Sequence, residues 1–130
     1  MTTGPLTSLM LRQANVQRSN PAETIHKRMR HLLEEVGEVQ EYVADGSDLS
    51  EIKYVDDGTG LLKPEGFAIE IADVMMDCLR LLNKTGHDPD EVLELKLKYH
   101  EERRVKKSAR NFAKIKEWKI KNPKKGRKGK

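Results

Sequence analysis

Four glutamates, Glu34, Glu35, Glu38 and Glu41, fall within eight positions of the stretch LLEEVGEVQEY, residues 32–42. On a helix, neighbours three and four apart share a face, so Glu34, Glu38 and Glu41 align, with Glu35 alongside and three residues from Glu38. A second acidic stripe, Glu70, Asp73 and Asp77, runs at i, i+3 and i+7 through EIADVMMDCLRLL. Its neighbours, among them Ile69, Ile71, Val74, Met75 and Leu79, cover most of a helix and predict burial on nearly all sides. Unpaired carboxylates in such a place cost several kcal/mol each or take up protons. Two remedies are available: Arg80 and Lys84 pair with the stripe, or the stripe meets a cation.

Read together, Glu35-x-x-Glu38 on one helix and Glu70-x-x-Asp73 on another would bring four carboxylates to one point. Oxygen-only ligands suit a hard cation, Mg²⁺ first and Mn²⁺ as a substitute. No cysteine pair offers itself to zinc, and of the Glu-x-x-His motifs a di-iron bundle needs, only Glu23–His26 fits. Mg²⁺ held by carboxylates with open positions is the usual partner of phosphate chemistry. A spare carboxylate, Glu34 or Glu41, is the candidate general base. Lys96, His100 and Arg103 in KLKYHEER are candidate contacts for a triphosphate, as is Asp77 at the end of its stripe. Gln13, Asn15 and Arg18 are candidate base contacts, while His26, His31 and His87 read as surface or capping residues.

The elements that would position these groups are helices. Residues 6–18 form a short amphipathic pattern, and SNPAE then supplies a cap at Asn20, Pro21 in the first turn and Glu23 to close a capping box. A long helix follows to about Ala44. Gly37 inside it costs roughly 1 kcal/mol against alanine and suggests close approach of a second helix or a ligand. Residues 45–64 read as a connection holding one helical turn or a small hairpin around DDGTG. The next helix, about 65–85, ends at Gly86. HDPDE restarts a third long helix, with Asp88 as cap and Pro89 and Glu91 completing the box, to about Lys106 or beyond. A weak helical pattern, ARNFAKIKEWKI, precedes a tail expected to be disordered.

The chain therefore reads as all-α, an antiparallel helical bundle over residues 1–107 with a basic extension over 108–130. Three modest helices cannot cover one as apolar as residues 67–83, which predicts that self-association completes the core. One cysteine, Cys78, excludes an internal disulfide, and its apolar setting reads as a buried thiol in a reducing, cytoplasmic protein. Neither a membrane span nor a secretory signal is evident in MTTGPLTSLMLRQ or elsewhere. The net charge of +4 hides a division, because residues 103–130 carry fourteen Lys and Arg against Glu117 alone, +13, leaving −9 on residues 1–102.

With Glu35-Val36-Gly37-Glu38 and Glu70-Ile71-Ala72-Asp73 in place, the chain resembles the MazG-type all-α nucleoside triphosphate pyrophosphohydrolases, whose signature is EExxE followed by ExxD on the next core helix. The resemblance runs from about Leu6 to Arg104 and includes GHDPDEVLELK. It implies that Glu35, Glu38, Glu70 and Asp73 bind Mg²⁺. It also implies cleavage between the α- and β-phosphates to a monophosphate and pyrophosphate, by homodimers or homotetramers with sites near subunit contacts. Two features depart from the family. His100 occupies the asparagine position of a Lys-x-x-x-Asn pattern that begins at Lys96, and the connection from Val39 to Ile69 is somewhat long. Two other functions compete: phosphoribosyl-ATP pyrophosphohydrolysis with the same motif, and a non-catalytic helical protein whose basic tail makes weak contact with nucleic acid.

Overall fold

A computed structural model describes residues 3–17 and 23–121 of the chain. The described residues form four helices and one small two-stranded sheet, with 73% of the structure helical. The helices are α1 (Pro5–Val16), α2 (Ile25–Ala44), α3 (Phe67–Lys84) and α4 (Pro89–Lys121), and strands β1 (Lys53–Asp56) and β2 (Leu62–Glu65) lie between α2 and α3. Among the described residues no helix is long and apolar enough to cross a membrane.

Local chemistry sets each boundary. Thr24 caps α2, its hydroxyl accepting from the Lys27 N–H at 3.1 Å. This replaces the cap expected at Asn20, which with Pro21 and Arg18 lies outside the described residues. Asp90 holds the start of α1 from a distance in sequence. Its carboxylate accepts from the backbone N–H of Leu6 and Thr7 at 3.2 and 2.8 Å and from the Thr7 hydroxyl at 2.7 Å. These bonds keep the Asp90 pKa below the usual carboxylate value. The end of α3 is a left-handed glycine, Gly86 at φ 75°, with the His87 N–H bonded back to the Leu82 carbonyl at 2.9 Å. Asp88 then accepts from the Asp90 N–H at 2.9 Å and opens α4, as expected.

The connection of residues 45–64 is the hairpin alternative rather than a helical turn. Lys53 pairs with Glu65 and Asp56 with Leu62 in antiparallel register. Asp56 and Asp57 fold back onto the N–H groups of Gly58 and Thr59 at 2.7 and 2.8 Å, a local bonding pattern that makes the turn. Gly66 joins β2 to α3 at φ 141°, where a Cβ would also strike the Glu51 carbonyl.

The chain divides into two compact units, residues 1–90 and 91–130. In the first, α2 and α3 pack on each other and α1 and β2 pack on α3. Side-chain partners give the direction of the α2–α3 contact. Glu23 meets Arg80, Arg28 and His31 meet Asp77, and Glu35 and Glu38 sit against Asp73 and Glu70, so the helices run antiparallel. The second unit holds nearly all of α4, which continues unbroken through the weak pattern at residues 109–120 and through the boundary expected at 107/108.

The core is thin. Among the described residues the buried apolar side chains are Met10, Leu79 and Pro89. Contrary to the expectation of burial on nearly all sides, α3 exposes Ile71, Met75 and Cys78 at i, i+4 and i+7, with Met75 54% exposed. α2 exposes Met29, Leu33 and Val36 in the same rhythm. No second helical layer in the first unit covers those faces.

At Gly37 a Cβ meets nothing within 4 Å, so this chain alone gives no packing reason for the glycine. Urea denaturation should therefore separate the two glycines. Gly37→Ala is expected to gain about 0.5–1 kcal/mol, and Gly66→Ala to lose roughly 1–3 kcal/mol through its strained φ. A loss at Gly37 would mean that a second chain or a ligand approaches it.

Candidate metal centre

The antiparallel contact turns the two acidic stripes towards each other. One carboxylate oxygen from each of Glu35, Glu38 and Glu70 falls within 4.8 Å of the others. Two oxygens of this group, Glu35 Oε2 and Glu70 Oε2, are buried without a hydrogen-bond partner. Asp73 is not in that triad but lies in its field, its carboxyl pushed upward by burial and by the charges of Asp77 and Glu38. Lys63, on β2, opposes this shift in Asp73. None of the four carboxylates pairs with a lysine or arginine among the described residues.

Protonation is how the cluster reduces its own repulsion. Burial raises Glu70 from 4.5 to about 7, and a hydrogen bond and the charge of Glu38 add to the shift. Glu35 is raised as well, by burial and then by Glu38 and Asp73. The donor set also fits a hard cation. Oxygens on opposite sides of a Mg²⁺ ion are about 4.2 Å apart, and the triad oxygens all lie within 4.8 Å of one another. Unpartnered buried oxygens supply the lone pairs such an ion takes.

The other end of the interface is charge-balanced. Arg80 pairs with Glu23 at 3.6 Å rather than with Glu70 or Asp73, and Arg28 pairs with Glu23 and approaches Asp77 at 3.9 Å. Asp77 is only 6% exposed and is engaged by Arg28 and His31, which places it inside the helix interface rather than on an open surface. His31, read from sequence as surface or capping, bridges the two ends. Its Nδ1 lies 2.9 Å from Asp77 Oδ2 and its Nε2 lies 3.5 Å from Glu35 Oε1. No sequence signal marked His31, because its role depends on what α3 brings to it. The same is true of Lys63, which only the hairpin brings near Asp73.

The remaining candidates are dispersed. Glu34 and Glu41 are exposed on α2 and are absent from the triad. Lys96, His100 and Arg103 belong to the second unit, where the Lys96 ammonium sits 5.3 Å from the Tyr99 ring centroid and the His100 ring meets Tyr99 edge-on. Gln13 is buried and lines a polar cavity of 260 Å³ with Gln17, Glu23, Arg28 and Arg80, whereas Asn15 is exposed. No family of known proteins, no curated protein and no solved structure matches this chain.

The raised carboxyls fix a sign for the pH dependence of stability. Between about 4.5 and 7 the folded chain keeps a proton on Glu70 that the unfolded chain releases, so this stabilisation is complete below about 4.5 and is lost as pH rises through about 7. Asp48, Asp57 and Asp90 are shifted the other way, so their contribution fails only on acidification below their ordinary value of 3.8. In chelator, the thermal midpoint should fall from about pH 5 to about pH 8, and Glu70→Gln should flatten that slope. A midpoint that rises over this interval would contradict the clustered geometry.

Proposed function

We propose that the chain is a Mg²⁺-dependent nucleotide pyrophosphohydrolase that cleaves standard or modified (deoxy)nucleoside triphosphates to the monophosphate and pyrophosphate. The observation that carries this reading is the convergence of Glu35, Glu38 and Glu70, two of which carry a buried oxygen without a hydrogen-bond partner. Glu35, Glu38, Glu70 and Asp73 would hold the ion. When bound, Mg²⁺ neutralises phosphate charge and lowers the pKa of water.

The chain's own groups account for the rest. Asp77 and His31 orient Glu35, since a ring nitrogen fixed by a buried carboxylate leaves the other nitrogen directed at the ligand. Lys63 offers a cation beside Asp73 for a phosphate oxygen. Glu34 or Glu41, exposed and outside the ligand set, would take the proton of the attacking water. The open apolar rows Met29–Leu33–Val36 and Ile71–Met75–Cys78 support a dimer or tetramer as the working form, because burying them completes a core that one chain leaves open.

Pyrophosphate release across a nucleotide panel with Mg²⁺ tests the reading. Glu38→Gln and Asp73→Asn should each lower turnover at least about 100-fold, with thermal stability in chelator kept or increased. Wild-type turnover unchanged by both would defeat the assignment. His31→Ala and Asp77→Asn should weaken Mg²⁺ binding, read by calorimetry, by about 10- to 100-fold. Unaltered affinity in both would remove His31 from the ligand-orienting role.

A further inference from the structure

We propose that one face of α4, formed by Arg103, Lys106, Lys107, Arg110, Lys114 and Lys121, docks the phosphate backbone of a nucleic-acid duplex. The residues lie on one continuous helix and all are exposed. Arg103, Lys107, Arg110, Lys114 and Lys121 follow one another at i, i+4, i+7, i+11 and i+18, which at 3.6 residues per turn is a single row. Lys106 flanks that row, and Glu117 is the one acid on it. The row spans about 27 Å, roughly eight phosphate steps along one strand at 3.4 Å each.

None of the six side chains pairs with a carboxylate among the described residues, although like charges at i+3 and i+4 work against the helix that carries them. An external polyanion supplies what is lacking. The opposite face distinguishes a nucleic acid from an anionic bilayer. Val105, Ala109 and Phe112 start an apolar face there, but Lys116 and Lys119 interrupt it, so no continuous apolar strip is available to enter acyl chains. A ladder of phosphates requires no such strip and matches a row of flexible ammonium and guanidinium groups along one side of a rod.

The test is equilibrium binding of the full chain to a short DNA duplex across a salt series, beginning at about 50 mM. Lys107→Gln, Arg110→Gln and Lys114→Gln together remove three charges from the row. Arg104→Gln, Lys116→Gln and Lys119→Gln together remove the same number elsewhere on the same helix. Glutamine preserves helix propensity, and circular dichroism checks that both triples keep α4. The row triple should bind at least about tenfold more weakly and make the slope of log K against log salt shallower by roughly 2–3, at about 0.9 per lost phosphate contact. The control triple should retain most of the wild-type slope, as should Lys107→Arg with Lys114→Arg. Equal losses from the two triples would overturn the proposal, as would an absence of duplex binding at the lowest salt. It also fails if anionic phospholipid vesicles displace the duplex, or if the row triple abolishes only self-association.

Discussion

The antiparallel contact between α2 and α3 is the constraint on which the rest of the first unit depends, because it places two acidic stripes against each other and compensates them at one end only. Around Asp77, Arg28 and His31 approach within 3.9 Å and 2.9 Å. Around Glu70, the same interface offers carboxylates and two unpartnered oxygens. A carboxylate cluster removed from water has two ways to reduce its energy, by taking a proton or by taking a cation. The upward shift of Glu70 is the first of these, and it competes directly with the second. The electrostatics that raise Glu70 also tie the stability of the cluster to pH.

The thin core bears on the same site. Three buried apolar side chains cannot offset the conformational entropy of ordering about ninety residues. The apolar surface that could do so exists but faces outward, in rows on α2 and α3 that belong to the helices carrying the carboxylates. Met29, Leu33 and Val36 share α2 with Glu35 and Glu38, so the open apolar row and the carboxylates are carried on one rigid helix.

Much of this was legible from residue spacing. The helical class, the three carboxylates of the triad and the glycine stop after α3 all follow from periodicity and local turn chemistry, which do not depend on what lies across the interface. The misreadings share the opposite property. His31 reads as a surface residue, and its side chain is indeed 42% exposed, but beside Glu35 on its own helix it also contacts Asp77, which only α3 brings to it. Asp77 continues an acidic stripe in sequence but falls at the charge-balanced end in space. Cys78 appears buried because its neighbours in sequence are apolar, although the helix turns it outward beside Met75. Thr24 caps α2 although Ser-Asn-Pro upstream is the stronger local signal in sequence. The pattern at residues 109–120 reads as weakly helical, and its continuity with α4 to Lys121 is faint in sequence because a basic solvated helix lacks a strong apolar period.

The two units carry opposite charge, and the form of that charge separates what each can do. In the first unit the acidic charge is clustered and partly buried, where solvent screening is weak. The charge of α4 is distributed along an exposed helix, where each cation is screened over about 10 Å in ordinary salt. Salt therefore screens the exposed charges of the helix more than it screens the partly buried carboxylates of the cluster. The net charge of +4 is thus the sum of two opposite charge patterns, one clustered and one spread along a helix, which salt screens to different degrees.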